Sequence, residues 1–282
     1  MRNVVDALIS TDWLLEHLDR PDIRVVDASW YLPGAGRDPK AEYSQARIPG
    51  AVFFDIDDIA DLDSGLPHML PSPEKFASRV RRLGLGDGNR IIVYDGSGLS
   101  SAARVWWMFR VFGHDEVSVL DGGFPKWQAE GKPISDLPEI GRERHFTARF
   151  NAMMVREVDQ VKAACESGRE QILDARSAGR FNGSEPEPRE GLRGGHIPGS
   201  LNLPFSNLFD KDGLFLQGPA LRAAFEEAGL DLAKPVVTTC GSGVTAAVLT
   251  LGLHLLGHRS TALYDGSWSE WGNREDLPAE TG

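Results

Sequence analysis

Cysteine is scarce in this chain: only two of its 282 residues, Cys165 and Cys240, carry a thiol. Two thiols exclude a disulfide scaffold and a cysteine-rich zinc site, and they fit a reduced, cytoplasmic setting. Positive charge is also in deficit. Thirty Lys and Arg against 41 Asp and Glu give a net charge of −11, so neither a nucleic-acid surface nor a polybasic membrane face is expected. No apolar run approaches the ~20 residues needed to cross a bilayer. The start, Met1-Arg-Asn-Val-Val-Asp6, shows no apolar core of a signal peptide before folded-looking sequence begins. What remains is ordinary globular composition, with length for two domains.

What is there is written twice. Arg24-Val-Val-Asp-Ala28 is echoed by Gln171-Ile-Leu-Asp-Ala175, and Ala46-Arg-Ile-Pro-Gly-Ala51 by Gly195-His-Ile-Pro-Gly-Ser200. Arg90-Ile-Ile-Val-Tyr-Asp-Gly-Ser-Gly98 answers Pro235-Val-Val-Thr-Thr-Cys-Gly-Ser-Gly243, and Leu120-Asp-Gly-Gly-Phe-Pro-Lys-Trp127 answers Tyr264-Asp-Gly-Ser-Trp-Ser-Glu-Trp271. Each half alternates short apolar strands with helix-like stretches, which predicts two α/β domains with mainly parallel sheets flanked by helices. The boundaries fall at 1–135 and 152–282, with the polar stretch 136–151 as linker. Asp27, Asp174, Asp121 and Asp265 recur between the halves, which points to structural work. His196 before Ile-Pro-Gly reads the same way, and Trp106-Trp-Met-Phe109 is a core stripe at helical period.

Cys240 stands where chemistry is expected. The β-branched run Val236–Thr239 reads as a strand buried on both faces. The run from Ala246 to Leu256 reads as a helix. A cysteine between a strand end and a helix N-terminus meets free amides and a helix dipole, which lower a thiol pKa and favour a nucleophilic thiolate. Gly241 and Gly243 let the loop amides curl into an anion-binding nest. The alternative is a small buried core residue, although such a cysteine needs no permissive loop behind it. The first half carries Asp95 at the matching position, so sulfur chemistry belongs to the second half alone. Cys165, in an amphipathic helix, reads as a packing or surface residue.

A cysteine phosphatase needs an arginine six positions after its nucleophile to clamp phosphoryl oxygens; here that position is Ala246. A sulfurtransferase needs only to hold a persulfide and hand it on. Paired α/β halves with Asp95 in place of one cysteine resemble the two-domain rhodanese superfamily, and the fold expected is two tandem rhodanese-like domains. The loop Cys240-Gly-Ser-Gly-Val-Thr245 resembles that of 3-mercaptopyruvate sulfurtransferases, whereas thiosulfate sulfurtransferases usually carry Arg-Lys at Gly241-Ser242. The similarity extends to Phe53-Phe-Asp-Ile-Asp57, Pro67-His-Met-Leu-Pro71, Gly179-Arg-Phe181, Glu185-Pro-Glu-Pro-Arg189 and Tyr264-Asp-Gly-Ser-Trp268.

The resemblance implies that Arg180 and Arg189 hold the carboxylate and carbonyl oxygens of 3-mercaptopyruvate. The bland alternative is a solvated charge or an ion pair with Glu185 or Glu187. It also implies a Ser242, His68 and Asp57 proton relay, with His68 and Asp57 in the first half and Ser242 in the second. Gly241, Gly243, Val244 and Thr245 are the remaining loop contacts, and Thr245 is expected to cradle the persulfide and cap the following helix. The implied acceptors are cyanide, small thiols or thioredoxin, with no metal or organic cofactor. The rivals are thiosulfate as donor and a non-catalytic persulfide- or protein-binding module.

Overall fold

Runs rich in Val, Ile and Thr make short strands, each followed by a helix. In the computed structural model, which describes residues 6–137, 139 and 141–282, the first half runs β1 (Leu8–Ile9), α1 (Thr11–His17), β2 (Ile23–Asp27), α2 (Pro39–Gln45), β3 (Val52–Phe53), α3 (Pro73–Arg82), β4 (Arg90–Tyr94), α4 (Ser101–Val111), β5 (Val117–Leu120) and α5 (Gly123–Ala129). The second half repeats the order with β6 (Val155–Arg156), α6 (Val158–Ser167), β7 (Gln171–Asp174), α7 (Ala178–Phe181), β8 (Leu201–Asn202), α8 (Gly218–Glu227), β9 (Val236–Thr239), α9 (Ala246–Leu255), β10 (Thr261–Tyr264) and α10 (Ser267–Trp271). Each half forms a five-stranded parallel sheet, ordered β1-β5-β4-β2-β3 and β6-β10-β9-β7-β8. The second order is the first displaced by five strands. The sequence repeat is thus a repeat of topology, and it extends to single hydrogen bonds: Trp127 Nε1 donates to Pro133 O, and Trp271 Nε1 to Pro278 O, each at 2.7 Å.

Register sets the position of the loop. β9 pairs with β7 from Gln171↔Val236 to Asp174↔Thr239, and with β10 from Thr261↔Val236 to Leu263↔Thr238. All four of its residues are buried, as a strand covered on both faces requires. Cys240 follows at its carboxyl end, where ligands bind in open parallel sheets. β4 holds the same place beside β2, and Asp95 follows it. α4 buries Trp106, Trp107, Met108 and Phe109, so that stripe is core. His196 is a fold residue: its ring stacks on Phe181 at 3.8 Å and its Nδ1 bonds the Phe181 carbonyl. Asp27 accepts from Ser29 N at 2.8 Å and Asp174 from Arg176 N at 2.9 Å, the same turn at the ends of β2 and β7.

Two compact units result, Met1–Ala60 with Leu70–Asn151, and Asp61–Met69 with Ala152–Gly282. Two segments depart from the boundaries the composition indicated. Much of the expected linker is bound to the first unit: Asn151 N donates to Val111 O at 2.7 Å, Arg149 N to Phe112 O at 2.8 Å, and Thr147 N to Asp87 Oδ1 at 2.9 Å. Phe146, fully buried against Phe76 and Phe109, anchors it. Its polar neighbours concealed one aromatic. Positions 138 and 140 of that stretch, like residues 1–5, lie outside the described residues. The second departure is Asp61–Met69, which precedes α3 in the chain yet groups with the second unit, taking His68 with it. No helix among the described residues is long and apolar enough to cross a membrane.

Candidate active site

The Cys240 loop is pinned at its start and open beyond. Cys240 N donates to Ser267 Oγ at 3.2 Å, and Cys240 O accepts from Trp268 N at 2.9 Å. Gly241 O accepts from Ser269 N at 2.8 Å and Ser269 Oγ at 2.6 Å. After that, the amides of Gly241, Ser242, Val244 and Thr245 donate to no acceptor among the described residues. Gly243 takes φ 76°, which a side chain would strain. Cys240 itself is 2 % exposed, so an anion formed there meets oriented dipoles in place of bulk water.

The first unit shows what such a loop holds. Asp95 is fully buried, and its Oδ1 accepts from Ser97 N at 2.8 Å while Oδ2 accepts from Ser100 N at 2.7 Å and Ala102 N at 2.8 Å. The corresponding amides in the second unit belong to Ser242, Thr245 and Ala247. One half has a built-in carboxylate as its anion; the other has a thiol and unsatisfied donors. Ala247 N, lacking a carboxylate, turns to Val244 O at 3.2 Å.

Both arginines lie over this loop. A Cβ on Gly241 would stand 2.8 Å from Arg180 Nη2 and 4.0 Å from Arg189 Nη1, so the glycine is needed for close approach. Arg180 Nη2 donates to Glu187 Oε2 at 2.5 Å, so the ion pair considered as its alternative is present. That pair fixes the guanidinium at the loop; it does not withdraw it. Arg189 Nη2 donates to Ser242 Oγ at 3.4 Å, and Ser242 Oγ shares a hydrogen bond with His68 Nδ1 at 2.9 Å. His68 is 6 % exposed and holds φ 62°, an uncommon conformation of the kind that clusters at functional sites. Asp57 is described in the first unit, exposed, with Oδ2 accepting from Trp30 Nε1 at 3.2 Å. One expectation is corrected. Thr245 occupies the cap position of α9 but makes no side-chain capping bond, because its backbone is already helical at φ −76°, ψ −17° and a capping hydroxyl needs an extended residue. No group of three or more potential metal-ligating side chains occurs among the described residues.

Comparison with known proteins places this geometry. The rhodanese-like domain model matches residues 10–130 and again 157–274. The chain belongs to the rhodanese family. Human 3-mercaptopyruvate sulfurtransferase is 44% identical to it, covering 97% of this chain and 95% of that one. Bovine thiosulfate sulfurtransferase is 45% identical, covering 98% and 94%. Among solved structures, SseA from Escherichia coli, a 3-mercaptopyruvate sulfotransferase, superposes with a TM-score of 0.86 at 43% identity, covering 94% of this chain and 99% of that one.

In the second rhodanese domain, several site-building residues were not singled out from the sequence. Ser267, at φ 50° and fully buried, receives the Cys240 amide and donates to Tyr264 O at 2.8 Å. Trp268 and Ser269 clamp the loop carbonyls. Their segment carried a signal, since Tyr264-Asp-Gly-Ser-Trp268 stood out as a block, but no single residue in it announced a role. Glu187 was legible only as a possible partner of Arg180, and Arg176 not at all, because the way Arg176 joins Asp174 to Glu187 is decided by how the loop folds back.

Proposed function

We propose that this protein is a 3-mercaptopyruvate sulfurtransferase that carries sulfur as a Cys240 persulfide. The observation carrying this reading is the convergence of a cysteine, the unsatisfied amides of Gly241, Ser242, Val244 and Thr245 and two arginine guanidiniums on one loop. Planar forks suit the carboxylate and ketone of the donor. The Cys240 thiolate attacks the donor sulfur; an S–S bond forms, the C–S bond breaks, and the electron pair passes to the enolate of pyruvate. Loop amides stabilise the developing charge. The enolate carbon then takes the proton released from the donor thiol, with the hydrogen-bonded Ser242 and His68 as its shuttle. In the second half-reaction an acceptor thiolate, from a small thiol or thioredoxin, attacks the outer sulfur and restores Cys240; cyanide does the same and leaves as thiocyanate. A reducing compartment such as the cytoplasm suits a cycle that needs a free Cys240. Thiosulfate is the second donor reading, favoured by the bovine relative.

Intact mass after incubation with each donor tests this. Mercaptopyruvate should add about 32 Da, one sulfur atom, per chain, and Cys240→Ser should abolish the gain. A chain that stays unmodified is a binding module, and a higher kcat/KM for thiosulfate reverses the donor assignment.

A further inference from the structure

Arg180 sits on a short helix, α7, of four residues, and a long side chain on such a support does not hold one pose unaided. A row of alternating charges holds it. Asp174, Arg176, Glu187 and Arg180 follow one another, with side chains 1%, 0%, 2% and 17% exposed. Arg176 Nη2 donates to Asp174 Oδ2 at 2.7 Å and to Gly195 O at 2.8 Å, and its Nη1 donates to Glu187 Oε1 at 2.7 Å. Burial opposes its charge, but the Asp174 and Glu187 carboxylates outweigh that and raise its pKa above the ordinary arginine value. Glu187 then presents Oε2 to Arg180 Nη2 at 2.5 Å and Oε1 to Arg180 Nε at 3.3 Å. Pro186 and Pro188 flank Glu187 and restrict its backbone.

We propose that Glu187, backed by Arg176, is the positioning residue that holds Arg180 against the Cys240 loop. The inference rests on the reading of Arg180 as a donor-binding group. Arg176 serves both ends of the site. Its guanidinium also lies 4.5 Å over the Trp268 ring, and the Trp268 amide clamps the Cys240 carbonyl. One buried arginine thus sets donor-binding group and nucleophile in a common frame, and charge-assisted bonds removed from water hold it tightly.

Steady-state kinetics with mercaptopyruvate on Glu187→Gln, Glu187→Asp, Arg180→Ala and the Arg180→Ala/Glu187→Gln double variant tests this. Glu187→Gln should raise KM about tenfold or more with kcat within about threefold. Glu187→Asp keeps the charge that Arg176 requires, so it folds where Gln is less tolerated, and should show an intermediate rise. Because Glu187 acts through Arg180, the double variant should be no worse than Arg180→Ala alone. Multiplying effects in the double variant, or a fall in kcat and Tm with KM unchanged, overturns the proposal. A normal KM in both Glu187 variants beside a raised KM in Arg180→Ala overturns this inference alone; a normal KM in all of them overturns the donor-binding reading with it.

Discussion

At the scale of single residues, the two thiols and one buried acid show how environment decides chemistry. Cys165 is half-buried on α6, packed against the core of the second domain, and burial pushes its thiol up to about 11. It is an inert packing group at neutral pH, so Cys165→Ser should leave any sulfur adduct unchanged in intact mass. Asp27 is 3 % exposed, and burial raises its carboxyl from 3.8 to about 6, against hydrogen bonds from Ser29 that favour the anion. The folded chain therefore keeps a proton that the unfolded chain has lost, so stability contributed here falls as pH rises from about 4 to about 6. Asp27→Asn removes that dependence. Relative to wild type it should gain up to about 3 kcal/mol between pH 4 and pH 7. Urea unfolding at both pH values measures this, and an equal difference at the two would refute it.

At the scale of the element, strand–loop–helix is used twice with two solutions for the same row of amides. In the β4–α4 loop, Asp95 satisfies three N–H groups, so Asp95→Ala orphans them and should cost about 2–4 kcal/mol in denaturant unfolding. In the β9–α9 loop Cys240 stands in the carboxylate's place, and the Ser242 and Thr245 amides have no acceptor among the described residues. Cys240→Asp should then install the same internal carboxylate: turnover disappears, yet the variant is more stable to urea than Cys240→Ala by about 1–3 kcal/mol. Equal midpoints for the two variants would show that the amides of the second loop do not converge as those of the first do. The repeat made this comparison legible from sequence, since Asp95 and Cys240 align. The capping role assigned to Thr245 was not realised, because a helical backbone there takes its hydroxyl out of reach.

At the scale of the whole molecule, contacts override chain order. Asp61–Met69 leaves the first domain's sequence and groups with the second, bringing His68 Nδ1 to 2.9 Å from Ser242 Oγ. Within the segment, Asp61 N donates to Met69 O at 2.8 Å, and that amide reports on which unit opens. Ile172→Ala, in the core of the second unit, should cost about 2–5 kcal/mol and speed exchange at Asp61. Ile92→Ala, in the core of the first, should not. Native-state hydrogen exchange distinguishes them, and the reverse pattern would return the segment to the first unit.

The repeat, the α/β class, the parallel sheets and the placement of Cys240 after a buried strand were all determined locally. They depend on β-branched runs, glycine loops and helix periods that a sequence displays in order. Tertiary structure alone decided that residues 141–151 strap the first unit, that His68 pairs with Ser242 across 174 positions, and that Asp174, Arg176 and Glu187 brace Arg180. A sequence can offer Glu187 as one of two candidate partners for Arg180, but which pair forms, and what backs it, depends on the folded path of the chain. The partners become known only when the chain has brought them within a few ångströms.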